Sequence, residues 1–230
     1  MVERETGERS AIEGSPIDGL IIVHEDARIL VVDKPSGLLS QPGRSVSDSV
    51  VERVRAARPG ASGPLMMHRL DMDTSGLLVL AKDAEAHRLL SMQFERREVS
   101  KRYRALLERV PAGLGGCIRL PLRADPDDRP RQIVCPERGR TSNTLWRRAG
   151  DGPEVVFHPL SGRTHQLRVH AADPRGLDAP ILGDRLYGRD DSAARLMLHA
   201  EGLAFAHPGD NRRRVFLSAA PFGTGHAKGS

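Results

Sequence analysis

The chain has 230 residues, of which 39% are hydrophobic and 28% charged, enough for one sizeable core or two tightly joined lobes and unlike a disordered segment. No apolar run approaches the roughly 20 residues that a membrane-spanning helix needs. Lys+Arg total 35 against Asp+Glu 30, and the net charge of +5 suits a polyanionic partner, while 3% aromatic residues disfavour a stacking platform for unstructured single strands.

Met1 to Gly14 is charged and lacks the apolar core of a signal peptide, so residues 1–19 are expected to be a flexible tail on a cytoplasmic protein. Leu20 to Val23 and Ile29 to Val32 are rich in β-branched residues and flank a polar turn, which predicts a hairpin. Lys34-Pro35-Ser36-Gly37 ends its second strand, because proline lacks a ladder donor. Ser47 and Asp48 are candidate caps for a helix with Val50, Val51 and Val54 on one face, stopped by Arg58-Pro59-Gly60. A polar loop, His68 to Gly76, feeds the apolar strand Leu77 to Ala81. Ala84 to Arg96 is expected to be helical, with Leu89, Leu90 and Phe94 inward. Lys101 to Val110 alternates as a strand does, with Tyr103, Ala105 and Leu107 on one face.

Leu120 to Cys135 is rich in Pro, Asp and Arg and is expected to be a long loop or hairpin arm. Thr144 to Arg148 and Glu154 to Leu160 are a candidate strand pair. Thr164 is a plausible cap for a helix. Leu196 to Ala206 and Arg214 to Ala219 are the last strand candidates, and residues 223–230 a second flexible tail. Strands and helices alternate irregularly, which predicts an α+β fold with a mixed, largely antiparallel sheet. Residues 20–222 are expected to form a single catalytic domain. Cys117 and Cys135 make no disulfide framework and no C-x-x-C pair.

The loop His68-Arg69-Leu70-Asp71-Met72-Asp73-Thr74-Ser75-Gly76-Leu77 resembles the signature of the RluA-type pseudouridine synthases. Four further stretches follow in that family's order. They are Lys34-Pro35-Ser36-Gly37-Leu38, Lys101-Arg102-Tyr103-Arg104-Ala105, Gly162-Arg163-Thr164-His165-Gln166-Leu167-Arg168-Val169-His170 and Pro180-Ile181-Leu182-Gly183-Asp184. Leu196-Met197-Leu198-His199-Ala200 completes the set. The resemblance covers roughly residues 20 to 220. It implies the pseudouridine synthase fold, with two lobes and a central RNA-binding cleft.

Pseudouridylation breaks the glycosidic bond of a uridine in RNA, turns the base and rejoins it through carbon. It is an isomerisation and needs no cofactor. The sequence carries no Walker loop, no G-x-G-x-x-G after a strand and no H-E-x-x-H. The resemblance implies that Asp71 is the catalytic aspartate, as nucleophile or as base. A carboxylate desolvated by a bound base tends to take up a proton, and a fixed cation opposes that. The resemblance assigns that cation to Arg168 and a base-stacking, proton-moving role to Tyr103. It implies that Arg69 enters the stack vacated by the flipped base, with His68 and Arg163 as further RNA contacts. Leu198, Thr74 and Gly76 would border the base pocket. Lys34 is expected to be structural support near the site, and Gly183 and Gly188 turn residues around Asp184 and Tyr187. His68, His165, His170 and His199 invite a zinc reading, but no thiolate pair or helical His pair with a glutamate accompanies them, and no metal is expected.

The first motif and Leu120-Pro121-Leu122 through Cys135 resemble the dual-specificity branch of the family. The expected partner is structured RNA, a 23S rRNA hairpin, a tRNA anticodon stem-loop or both, with no protein partner required. Arg129, Arg131 and Gln132 would grip it from the arm. The stretch Ala171 to Ala179 is longer than the family's usual turn. Two other readings remain. A hydrolase using Asp71 would lack an obvious second carboxylate in a matching motif. A non-catalytic RNA-binding or RNA-folding protein would have no use for a buried carboxylate facing an anionic ligand.

Overall fold

The computed structural model of the protein describes residues 16–223. The expected tails at residues 1–15 and 224–230 lie outside the described residues. Residues 16–19 are not tail: Ile17 is buried and bridges to Leu20, so the folded region begins before Leu20. Among the described residues the chain divides into two compact units. One joins residues 16–101 to Ala200–Ala219, and the other joins Arg102–His199 to residues 220–223.

In the first unit, β1 (Ile21–Glu25) pairs antiparallel with β2 (Ile29–Lys34), the expected hairpin. β2 pairs antiparallel with β3 (Ser75–Ala81), and β10 (Leu198–Ala206, whose first two residues belong to the second unit) neighbours β3 and pairs antiparallel with β11 (Arg213–Leu217). β2 and β3 are central strands and need apolar residues on both faces. Ile29 to Val32 and Leu78 to Ala81 are accordingly 0% exposed. Ile29, Val31, Leu77, Val79 and Phe205 share a core with Leu90 of α2 (Ala84–Glu95).

α1 (Val50–Ala57) buries the expected valines. Its cap, however, is Ser49, whose hydroxyl accepts from the Glu52 amide at 3.3 Å. Ser47 and Asp48 stand too early to reach an orphan amide of the first turn. Gly76 has φ +115°, and a Cβ there would lie 2.5 Å from the Ala200 backbone. Only glycine lets β3 pass β10 so closely.

In the second unit, β4 (Ser100–Leu106, whose first two residues belong to the first unit), β9 (Glu154–Pro159), β8 (Asn143–Arg148) and β5 (Gly115–Arg119) neighbour one another in that order, all antiparallel. β5 was not expected. Two glycines open it and most of it is exposed, so its strand state comes from the ladder to β8 rather than from local preference. The expected arm is a hairpin of β6 (Leu122–Ala124) and β7 (Gln132–Val134), rooted by the buried Leu122. α3 (Gln166–Ala172) begins after His165, which holds φ +51° and makes no side-chain cap; Thr164 is not the cap. The longer stretch after α3 folds back on the helix. Leu177 N donates to His170 O at 3.0 Å, Ala179 N donates to Ala171 O at 2.8 Å, and both side chains are buried.

Candidate functional site

The loop of the first unit is held by its backbone, from three sides. The Ser40 hydroxyl donates to Leu70 O at 2.7 Å and accepts from Leu70 N at 3.1 Å. The Lys34 ammonium, wholly buried, donates to Met72 O at 2.8 Å, Leu38 O at 2.7 Å and Pro35 O at 2.9 Å. Gly37 N donates to Met72 O at 2.9 Å and the Ser36 hydroxyl to Asp73 O at 2.6 Å. Thr74 N closes the turn on Asp71 O at 3.1 Å. Apart from the Lys34 bonds to Pro35 O and Leu38 O, which stay within the first motif, these contacts use main-chain atoms of the loop. The residues on either side of Asp71 are therefore fixed, while its own side chain is partly exposed. Arg69 and Met72 are exposed; Thr74 and Gly76 are buried as the chain enters β3.

The four contacts explain why the first motif and the loop must occur together. The Lys34 bonds are charge-assisted and contribute about 1.5–3 kcal/mol each, while the neutral bonds from Ser36, Gly37 and Ser40 contribute about 0.5–1.5 kcal/mol each. Lys34→Met keeps most of the side-chain volume but removes the donors and leaves buried carbonyls short of a partner. It is expected to lower stability by about 3 kcal/mol or more, measured by urea unfolding. Single-turnover rates measured where the variant is still folded should also fall, because Met72 loses one of its two anchors. An unfolding midpoint equal to wild type would refute this account of the motif.

His68 was expected to contact RNA, but its ring is committed within the unit. Nε2 accepts from Val79 N at 3.1 Å, and the ring stacks on Phe94 at 4.5 Å between centroids. Burial, with the Lys101 ammonium second, pushes its pKa down to about 3. It is therefore neutral at neutral pH and offers no charge to a phosphate, which leaves Arg69 as the exposed cation beside Asp71.

The second unit carries Tyr103, Arg168, Leu198 and the arm. Tyr103 stands opposite Phe157 on β4 and packs partly against the core that includes Leu198. Arg168 lies on α3 at 3% exposure. It makes a two-bond ion pair, Nε to Asp184 Oδ2 at 2.8 Å and Nη2 to Asp184 Oδ1 at 2.6 Å. Asp184 was expected only as a turn residue. It does form the turn, since Oδ1 also accepts from Leu186 N and Tyr187 N at 3.0 and 3.1 Å. The same carboxylate thus orients Arg168, a role that no spacing in the sequence displayed.

Arg129 is exposed at the arm's tip, and Arg131 is half-buried, with Asp128 at 3.6 Å. The Gln132 side chain folds back on Pro130 O and Arg131 O, and its main-chain amide reaches Tyr187. Arg163 donates to Thr141 O at 3.3 Å. His165 pairs with Tyr187, and His170 with Ser142 at 2.8 Å. Burial pushes the His170 pKa down to about 4. Among the described residues no three His, Cys, Asp or Glu side chains gather as metal ligands.

Comparison with known proteins gives one consistent result. Residues 28–173 match the family described as RNA pseudouridylate synthase. The chain is 42% identical over 212 residues to the dual-specificity RNA pseudouridine synthase RluA of Escherichia coli (strain K12), covering 88% of this chain and 94% of that one. It is 44% identical over 200 residues to the protein of the same name from Haemophilus ducreyi, covering 81% and 86%. Among solved structures, human RNA Pseudouridylate Synthase Domain Containing 1 superposes with a TM-score of 0.74 at 28% identity, covering 93% of this chain and 89% of that one.

Proposed function

The chain belongs to the RluA-type RNA pseudouridine synthases, and from that premise we propose how its residues isomerise a uridine in RNA. The enzyme is an isomerase acting on RNA. The bond from the sugar to nitrogen breaks, the base turns, a bond to carbon 5 forms, the proton on carbon 5 leaves, and the freed nitrogen takes up a proton, so that the net change is an isomerisation. Asp71 is the nucleophile or base at the sugar. The Tyr103 ring covers the uracil and its hydroxyl moves the carbon 5 proton. Arg168 supplies the cation that keeps a desolvated carboxylate ionised. Arg69 fills the gap left by the flipped base, and Leu198, Thr74 and Gly76 border the pocket. Arg129, Arg131, Gln132 and Arg163 bind the RNA backbone.

One observation carries the reading. The loop is anchored by main-chain atoms at Leu70, Met72 and Asp73, so that the backbone carrying Asp71 is rigidly framed on both sides. A protein that only bound RNA would gain nothing from fixing a carboxylate on that face. The substrates are a 23S rRNA hairpin, a tRNA anticodon stem-loop or both, in the cytoplasm. No described helix is long and apolar enough to cross a membrane. The test is incubation of the purified protein, without cofactor, with each transcribed RNA, followed by mapping of pseudouridine. Absence of product on both RNAs would reject these substrates.

Tyr103→Phe separates the ring from the hydroxyl. The variant is expected to bind RNA within about threefold of wild type, because the stacking face remains, and to lose about 10²–10⁴-fold in single-turnover rate. A normal rate would show that the hydroxyl takes no part in the proton transfer.

A further inference from the structure

Resting on the functional reading above, we propose that Tyr187 is a positioning residue that ties the β6–β7 arm to Arg168. Four groups from two segments, the arm and the start of α3, meet on this one side chain. Its hydroxyl lies 2.7 Å from Gln132 N, on the arm, and 2.8 Å from His165 Nδ1, at the start of α3. The Arg168 and Arg131 guanidinium carbons stand over its ring, 5.2 and 5.4 Å from the centroid.

The Gln132 amide can only donate, so the hydroxyl oxygen accepts from it. The second link, to His165 Nδ1, takes its direction from the imidazole tautomer. Burial pushes the Tyr187 pKa up to about 12, so the proton is retained across the working range. His165 adopts its left-handed conformation without capping α3, and its Nδ1 serves this contact instead.

The arm needs this tether. A cavity of about 330 Å³ lies between β7 and α3, lined by Arg131, Val134, Val169, Ala172, Arg175 and Tyr187. β7 meets α3 beside this depression, with Val134 against the core that includes Val169, and Tyr187 adds a polar link between the arm and the start of the helix. The Asp184 carboxylate accepts from Tyr187 N and holds Arg168 at the same time. One turn therefore sets both the arm and the guanidinium.

The two functions of the side chain come apart by substitution. Tyr187→Phe removes the hydroxyl links and keeps the ring under both cations. RNA affinity should fall about three- to tenfold, the salt dependence of binding should drop by about one phosphate contact, and the single-turnover rate at saturating enzyme should stay within about twofold. Tyr187→Leu removes the ring as well, and that saturated rate should fall at least about tenfold. Hydrogen exchange at the Gln132 amide, measured without RNA, should rise in both variants. Unchanged exchange at Gln132 in Tyr187→Phe would overturn the tether. Equal loss of saturated rate in the two variants would overturn the separation of arm from guanidinium. A wild type that makes no pseudouridine would sink the functional reading instead, and the exchange measurement would still decide the tether.

Discussion

Asp71→Asn is expected to produce no measurable pseudouridine while binding RNA within about tenfold of wild type. The amide matches the carboxylate in shape but can act neither as nucleophile nor as base at neutral pH. The loop contacts described above use main-chain atoms of residues 70–73, so the substitution leaves Lys34, Ser36, Gly37 and Ser40 with their partners. Most affinity in such a complex comes from phosphate neutralisation, which Asp71 does not provide. The measurement is a single-turnover assay with pseudouridine mapped in the product, alongside a binding isotherm and an unfolding curve. Appreciable product from a homogeneous Asp71→Asn protein would remove Asp71 from the chemistry.

The site was legible in the sequence where its residues are contiguous. Asp71 and Arg69 sit in one loop whose motif carries the family resemblance, and Lys34 could be read as support because its motif precedes the loop. What the sequence hid are partners far apart in the chain. Ser40 meets Leu70 across 30 residues, and Asp184 meets Arg168 across 16. Asp184-x-x-Tyr187-Gly188 has the composition of a turn, and it is one. Nothing in that composition shows that the turn's carboxylate also faces an arginine on a helix. His68 illustrates the reverse case. A histidine beside an arginine in a polar loop suggests a second RNA contact, whereas its ring is taken up by stacking on Phe94 and by the Val79 amide.

The fold divides along the same line. Elements with strong periodicity fell where the apolar spacing put them: the β1–β2 hairpin, α1, α2, and the β8–β9 pair. β5 could not be read, because Gly115-Gly116-Cys117 has weak strand preference and gains its ladder only from β8. The caps were misplaced by a residue or two at α1 and α3, since Ser47, Asp48 and Ser49 are all good capping types, and only the structure shows which hydroxyl reaches the Glu52 amide. His165 is a less expected case. Its left-handed backbone would favour glycine or asparagine, and its side-chain bond to Tyr187 offsets that preference.

Arg168→Met is expected to be the most destabilising substitution in the second unit. Asp184 is 0% exposed and would keep its two amide donors but lose both bonds to the guanidinium. Removing one partner of a buried ion pair costs about 3–5 kcal/mol, because the remaining charge is left desolvated. An exposed pair would cost at most about 1 kcal/mol. Arg168→Lys restores a charge but not the planar two-bond geometry, so it should recover only part of the loss. Arg168→Met combined with Asp184→Asn should be more stable than Arg168→Met alone, since the asparagine can still accept from Leu186 and Tyr187 and no buried charge is stranded. Urea unfolding of the four proteins checks the stability terms. Single-turnover rates of wild type and Arg168→Lys, at saturating enzyme and where both are folded, check the catalytic one. If the guanidinium orients the reacting groups, the lysine variant should lose at least about tenfold in rate, while its binding and salt dependence stay near wild type. A lysine variant with a wild-type saturated rate and only weaker binding would show that Arg168 acts as a phosphate contact held in place by Asp184, and that the cation serving Asp71 is another residue.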